Sequence, residues 1–269
     1  MDRILLFTPM YNCEKQIIRV LGQMTREIAR YIDEWIIINN QSTDNGEQAV
    51  CSYLEKHDMP LRVKLLRNDE NYGLGGSHKV AFQYAIDNGF DYVMVFHGDD
   101  QGQVNDFLPI IQKCEYTKYD CVLGARFMKG ASLIGYSKFR TMGNIVYNFL
   151  FSICIKKTIL DLGAGLNLYN VNSLKNRFYI KYRDDLLFNY YMILGQAYFD
   201  LEVKYYPISW REDDQISNVK MINQALSVLS ILFRYCVNKA GFIKGEHRKK
   251  IVKRYTAQEI IIFNPREKE

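Results

Sequence analysis

Val93-Met94-Val95-Phe96-His97-Gly98-Asp99-Asp100-Gln101-Gly102-Gln103 decides how this chain is read. Four apolar residues run directly into glycine and polar side chains. That is the pattern of a buried strand delivering carboxylates to the edge of a sheet. Gly98 permits a close approach of backbone to a ligand. Asp99 and Asp100 are poor core residues and good ligands for a hard cation. Two readings stand side by side: a metal–diphosphate site, or carboxylates that cap the following helix at its positive dipole end.

Outward from this stretch, short apolar runs alternate with helical periodicity. Strands are expected at 4–7, 35–38, 61–66, 92–96 and 121–123, and helices at 14–31, 45–56, 77–87 and 104–116. Ile17, Leu21, Met24, Ile28 and Tyr31 recur at helical spacing in the first of these helices. Strands alternating with helices predict a mostly parallel sheet whose ligands sit at the carboxyl ends of the strands. The second half is less regular, with helices expected at 137–155, 184–199 and 220–238, a strand at 201–206 and a polar loop at 210–219. One domain over 1–240 followed by a basic tail over 241–269 is the expected division.

The 269 residues, 48% of them hydrophobic, suit one large α/β domain. A net charge of +5 allows anionic ligands or an anionic membrane face and is too small to argue for nucleic acid. The six cysteines (13, 51, 114, 121, 154 and 236) form no CxxC pair, so reduced thiols are expected. Met1-Asp2-Arg3 leads at once into a strand-like run rather than a leader peptide, and no run of about 20 uncharged apolar residues follows. A cytoplasmic protein is expected, at most peripheral on the cytoplasmic face of a membrane.

The other strand ends carry chemistry as well. Thr8-Pro9-Met10-Tyr11-Asn12-Cys13-Glu14 places Tyr11 to stack on a nucleobase and Asn12 or Glu14 to bond a ribose or base edge, or else forms a capped turn. Asn39-Asn40-Gln41-Ser42-Thr43-Asp44 offers amides that read a base edge, with Ser42 and Asp44 equally suited to cap a helix. Asn71-Tyr72-Gly73-Leu74-Gly75-Gly76-Ser77-His78-Lys79 is a glycine-rich loop before a helix, a place where backbone N–H groups meet phosphate. Lys79 either reaches a phosphate or is a solvated helix residue.

Together and in this order, these strand ends resemble a family 2 glycosyltransferase of the GT-A fold, within the subgroup similar to dolichyl- or polyprenyl-phosphate sugar transferases. Gly124-Ala125-Arg126-Phe127, Asp161-Leu162-Gly163-Ala164-Gly165-Leu166-Asn167-Leu168-Tyr169, and Trp210-Arg211 with Ser217 and Lys220 complete the match, which covers roughly 3–235. There are two departures. His97 stands where the family usually has the first of two aspartates, leaving Asp99 in the second place. Asn39-Asn40 replaces an acidic pair, which leaves the nucleobase open.

The resemblance implies a Rossmann-like three-layer sandwich with helices on both faces and a C-terminal helical extension. It implies inverting transfer of a sugar from a nucleoside diphosphate to a lipid-linked acceptor, either polyprenyl phosphate or a cell-surface glycan precursor. Asp99 is the expected ligand of Mg2+ or Mn2+. Pro9, Tyr11, Asn12, Glu14, Asn39, Asn40, Ser42, Gly73, Lys79, His97, Gly98, Asp99 and Gln101 are expected around the nucleotide sugar. Arg126, Arg211, Ser217 and Lys220 are expected at the acceptor phosphate. Asp161, and after it Asp185, is expected as the carboxylate that deprotonates a hydroxyl acceptor or positions a phosphate. A non-catalytic sugar-nucleotide-binding protein of the same fold is the competing expectation. Neither the sugar nor the oligomeric state follows from these residues.

Overall fold

The computed structural model describes residues 2–212 and 221–265, and the side chains of 221–223 are left aside. In chain order its elements are β1 (Ile4–Met10), α1 (Glu14–Gly22), α2 (Arg26–Ala29), β2 (Glu34–Asn39), α3 (Gly46–Lys56), β3 (Arg62–Asn68), α4 (Gly73–Asp87), β4 (Tyr92–Phe96), α5 (Leu108–Gln112) and β5 (Cys121–Ala125). There follow β6 (Ser132–Ile134), α6 (Lys138–Ile155), β7 (Leu166–Asn170), α7 (Val171–Leu174), α8 (Phe188–Tyr198), β8 (Val203–Pro207), β9 (Ser209–Arg211), α9 (Met221–Val237), α10 (Lys239–Lys244) and β10 (Ala257–Phe263).

Eight strands form one sheet in the order β10-β3-β2-β1-β4-β7-β5-β8. β1 to β4 run parallel, β7 runs antiparallel between β4 and β5, and β5 runs parallel to β8. The carboxyl ends of β1 to β5 and of β8 therefore share one rim, and the segment entering β7 starts from that rim. A small second sheet, β6 beside β9, stands over it with Leu133 opposite Trp210.

Period-two alternation divides the core between the two faces of the sheet. Leu5, Phe7, Ile36, Ile38, Val93 and Val95 face the layer that includes Phe82, Phe151, Phe188 and Tyr235. Ile4, Leu6, Trp35, Ile37, Met94 and Phe96 face the layer that includes Ile17, Val50, Phe107 and Ile110. Complete burial of a side chain of this size contributes roughly 1.5–3 kcal/mol. A strand with apolar residues on both sides is stable only where helices cover both faces. The expected three-layer α/β sandwich is the architecture found.

Local departures from expectation have local causes. The helix expected over 14–31 breaks after Gly22, and Thr25 starts α2 by accepting a hydrogen bond from the Ile28 N–H. The helix expected over 104–116 reduces to a 3-10 turn and α5, and the chain turns at Cys114 with φ +51°. The expected loop at 210–219 opens with β9. The segment expected as a basic tail instead carries α10 and then β10, which pairs antiparallel with β3. Cys154 on α6 and Cys236 on α9 are joined by a disulfide, in place of two of the six expected thiols.

Candidate active site

The loops after β1 and β2 are tied to each other. Asn12 adopts φ +49°, and its Oδ1 accepts hydrogen bonds from the Thr43 N–H (2.8 Å) and hydroxyl (3.2 Å). The Asn12 N–H donates to Ser42 Oγ at 3.1 Å. The Glu14 N–H donates to Asp44, and Glu14 Oε2 accepts from the Asn45 N–H. Pro9 lies in β1, where its carbonyl accepts the Gly98 N–H at 3.2 Å. A Cβ on Gly98 would stand 2.8 Å from that carbonyl, so the missing side chain serves this crossing of two strands rather than a ligand. Tyr11 is left 50% exposed on the rim, free to present its ring face.

Both asparagines expected to read a base are committed to the scaffold. Asn39 accepts from the Ser42 N–H and donates to Glu47 Oε2, which also accepts from Arg67. Asn40 donates to Asn71 and accepts from Asn68 and from the Tyr72 N–H. Asn39 thereby uses two and Asn40 three of the four hydrogen-bonding positions of an amide, and both side chains are buried.

The glycine-rich loop is not a phosphate cradle in this structure. It is the first turn of α4, and the Gly75 and Gly76 N–H groups both point at the Asp184 carbonyl. The Gly73 N–H donates to Asn71. Lys79 is buried and donates to the Tyr182 carbonyl (2.7 Å) and to Asp184 Oδ1 (2.6 Å), while Tyr255 donates to the same Asp184 oxygen. Burial pulls the Lys79 ammonium down to about 8 against the opposing pull of Asp184. The lysine fastens the C-terminal segment to α4 and does not reach toward the rim.

At the end of β4 the two adjacent aspartates part company. Asp100, at φ +59°, is buried and accepts from Arg19, from Gln23 and from Arg211. The Arg211 Nε–H also donates to the Asp100 carbonyl, and the Arg211 N–H to the Gln101 carbonyl. Arg211 therefore holds β9 against the β4 exit instead of standing ready for an acceptor phosphate. Asp99 is only partly covered, and its Oδ1 accepts from the Gln101 N–H at 3.2 Å. Burial raises its carboxyl to about 6, a state that a bound cation relieves.

His97 packs its ring against Gly165, whose missing side chain leaves room for it, and the His97 N–H donates to the Gly165 carbonyl. Its Nε2 is buried and has no hydrogen-bond partner. Burial, and after it the Arg126 cation, lowers the imidazole to about 4, so it is neutral at physiological pH. His78 on α4 lies 6.1 Å away, ring to ring, with its own Nε2 likewise unpartnered.

Asp161 is occupied. Its two oxygens accept from Arg126 Nε (2.7 Å) and Nη2 (2.8 Å), from the Arg126 N–H (2.9 Å) and from the Gly163 N–H (3.0 Å). The pair is buried among Phe127, Tyr136 and Trp210, each within 6 Å of the guanidinium carbon. Burial opposes the Arg126 charge, and the Asp161 carboxylate more than restores it. With four donors on its two oxygens, this carboxylate has little hydrogen-bonding capacity left for a substrate. Asp185 is paired with Arg183 and accepts from the Leu187 N–H; despite partial burial these hold its carboxyl below the usual range. It lines a cavity of about 250 Å³ with Asn71, Gly73, Arg183, Lys249 and Lys250. Ser217 and Lys220 lie outside the described residues.

Among the described residues no cluster of three or more His, Cys, Asp and Glu side chains is able to hold a metal unaided. A single carboxylate suffices where a diphosphate and water supply the remaining oxygens. Asp99, partly open and held near 6, fits that role. Several partners that fix the neighbouring side chains escaped the sequence reading. Arg19 and Gln23 at Asp100, Tyr136 at Arg126, His78 beside His97 and Tyr255 at Asp184 come from distant elements, and no spacing announces them.

The Glycosyl transferase family 2 model matches residues 6–178. The UDP-N-acetylglucosamine–dolichyl-phosphate N-acetylglucosaminyltransferase of Methanococcus voltae is 23% identical over 182 residues, 64% of this chain and 71% of that protein. A dolichyl-phosphate beta-glucosyltransferase of Trichomonas vaginalis is 22% identical over 237 residues, 83% and 68% of the two chains. Among solved structures, glucosyl-3-phosphoglycerate synthase of Mycobacterium tuberculosis, with Mn2+, UDP-glucose and phosphoglyceric acid, superimposes with a TM-score of 0.59 at 13% identity, covering 88% of this chain and 80% of that one. That likeness concerns the fold, which is the GT-A architecture.

Proposed function

The chain belongs to glycosyl transferase family 2, and from that premise we propose that it transfers a sugar from a nucleoside diphosphate to a phosphate-bearing lipid acceptor with inversion at the anomeric carbon. The observation that carries the acceptor class is the state of the two candidate bases. Asp161 is locked to Arg126, and Asp185 is held ionised by Arg183. A hydroxyl acceptor needs a base to remove its proton, whereas a phosphate oxygen is already anionic and needs only to be positioned. The names of the relatives, both dolichyl-phosphate transferases, point the same way.

In this reading the acceptor phosphate oxygen attacks the anomeric carbon in line, and the bond from that carbon to the donor diphosphate breaks. Asp99 would hold Mg2+ or Mn2+ beside the diphosphate. A cation bound there supplies positive charge to the leaving group. With His97 in place of a second carboxylate, manganese should serve at least as well as magnesium. Tyr11, exposed on the rim, offers its ring to the base, and the Gly98–Gln101 backbone shapes the wall beside Asp99. Arg126 positions the loop between β5 and β6 through Asp161, so its part in phosphate recognition is indirect.

Uridine is the base named for the Methanococcus relative and for the solved neighbour, so UDP-sugars are the first donors to test. A thermal-shift screen of UDP-, GDP- and CDP-sugars with and without Mn2+ decides the matter. The reading expects metal-dependent stabilisation by one nucleotide class and turnover onto a polyprenyl phosphate. Turnover undiminished in EDTA would remove the cation from the mechanism. Binding with no turnover on any phosphate or hydroxyl acceptor would support the non-catalytic alternative.

A further inference from the structure

We propose that the paired faces of α6 and α9 form a docking surface for an anionic lipid bilayer, in which both helices lie flat in the interface without crossing it. This deepens the lipid-acceptor reading by naming the face that meets the membrane and the lipid charge it selects.

The first observation is apolar. On α6 the inward residues Asn148, Phe151 and Ile155 are buried, yet the opposite side is apolar as well. Phe139, Met142, Ile145, Val146, Phe149 and Ile153 recur at helical spacing and are exposed, Phe139 by 79% and Phe149 by 63%. On α9 the buried side is Val228, Ile231, Leu232 and Tyr235, and the outward stripe is Leu226, Leu229, Phe233 and Val237, the last two each 70% exposed. The Cys154–Cys236 disulfide, with 6.3 Å between the Cα atoms, sets Ile153 beside the Phe233–Val237 end of the second stripe. Two stripes thus join into one patch, an arrangement that marks an interaction surface rather than scattered exposed residues.

The second observation is charge. Residues 121–160 and 221–245 contain nine Lys and Arg and no Asp or Glu, against 26 basic and 30 acidic residues in the rest of the chain. The whole positive excess lies in the two segments that carry the patch. Arg126, Arg140 and Lys157 pair with Asp161, Glu212 and Asp200. Lys129, Lys138, Lys156, Arg234, Lys239 and Lys244 are exposed around the helices. An apolar stripe rimmed by Lys and Arg, where the carboxylates Glu212 and Asp200 are each paired with a cation of the rim, matches a bilayer with anionic headgroups. A second copy of this chain would need an acidic complement on its own face, and the two carboxylates beside this face, Glu212 and Asp200, are already paired with Arg140 and Lys157.

The third observation is position. α6 starts at the catalytic rim, where Arg140 pairs with Glu212 next to Arg211, the residue that holds Asp100. From there α6 runs to its junction with α9 at Cys154–Cys236. A phosphate at headgroup level therefore approaches the rim while its lipid tail stays in the bilayer. No helix among the described residues is long and apolar enough to cross a membrane, which agrees with in-plane seating.

Co-sedimentation of the full chain with vesicles tests this without donor, acceptor or turnover, so it fails independently of the transferase reading. Vesicles of phosphatidylcholine alone and with 30% phosphatidylglycerol are compared at two salt concentrations. Wild type is expected to bind the anionic vesicles at least tenfold better than the neutral ones, and less well at high salt. Phe149→Ser with Phe233→Ser should lower binding to the anionic vesicles at least tenfold. Lys138→Gln with Lys156→Gln and Lys239→Gln should remove the anionic preference. All of these side chains are exposed, and unchanged circular dichroism and melting temperature certify the fold. No binding to either vesicle, equal binding of the serine variant, or a wild-type dimer in light scattering that the serine variant dissolves would each overturn the proposal.

Discussion

Arg126 and Asp161 form a buried two-point ion pair, Nε to Oδ2 at 2.7 Å and Nη2 to Oδ1 at 2.8 Å, that joins the end of β5 to the segment entering β7. The pair turns an expected catalytic carboxylate into a structural one. Asp161→Asn leaves a buried guanidinium without its counter-charge, which costs about 3–5 kcal/mol. Urea unfolding at pH 7.5 is expected to show that loss. An unchanged midpoint together with lost activity would instead return Asp161 to the role of base.

The two neighbouring aspartates should respond to the same substitution in opposite ways. Asp99 has a folded value near 6 against an ordinary 3.8, so the stability linked to it is present below about 4 and is lost as pH rises through about 6. At pH 7.5 the charged form is therefore a burden, and Asp99→Asn is expected to match or exceed wild-type stability while abolishing metal-dependent donor binding. Asp100→Asn removes the charge that Arg19 and Arg211 share and is expected to cost about 2 kcal/mol or more. Thermal melts with and without donor and Mn2+ separate the two effects.

Lys79 gives the fold an alkaline signature. Its folded value of about 8 lies below the ordinary 10.5, so the unfolded chain binds more protons between those limits. Stability linked to this lysine therefore rises with pH from about 8 to 10.5, by up to about 3 kcal/mol. Denaturant midpoints of wild type minus those of Lys79→Met should climb across that window. A flat difference would mean that the ammonium is not desolvated as its surroundings require.

β10 should be indispensable to the sheet. It covers the edge of β3, and Ile260, Ile261 and Phe263 pack onto the core. Deleting 257–269 is expected to lower the melting temperature by roughly 5–10 °C and to promote association through the opened edge. Differential scanning calorimetry and light scattering read both.

The layers of the fold were legible because burial acts through local periodicity. Ile36, Ile37 and Ile38 admit only a strand covered on both faces, and the polar residues that end each run mark the rim. At Asp99 and Tyr11 the sequence reading carries over into the proposed site, since Tyr11 is half exposed and Asp99 only partly covered. The site was misread at Lys79, Asn39, Asn40, Arg211 and Asp161, because each is engaged by residues far away in the chain. Tyr255 lies 176 positions from Lys79, and Arg211 lies 111 from Asp100.

By itself the sequence determined the α/β alternation, the shared rim and the family of the chain, since these rest on patterns repeated within a few residues. Tertiary structure alone decided which charged groups bind each other. A carboxylate in a glycine-rich loop reads the same whether it meets solvent or a guanidinium, and only packing brings Arg126 to Asp161. The same holds for the two apolar stripes. Each helix looks like a core helix on its own, and only their placement on the outside of the sheet turns them into a surface.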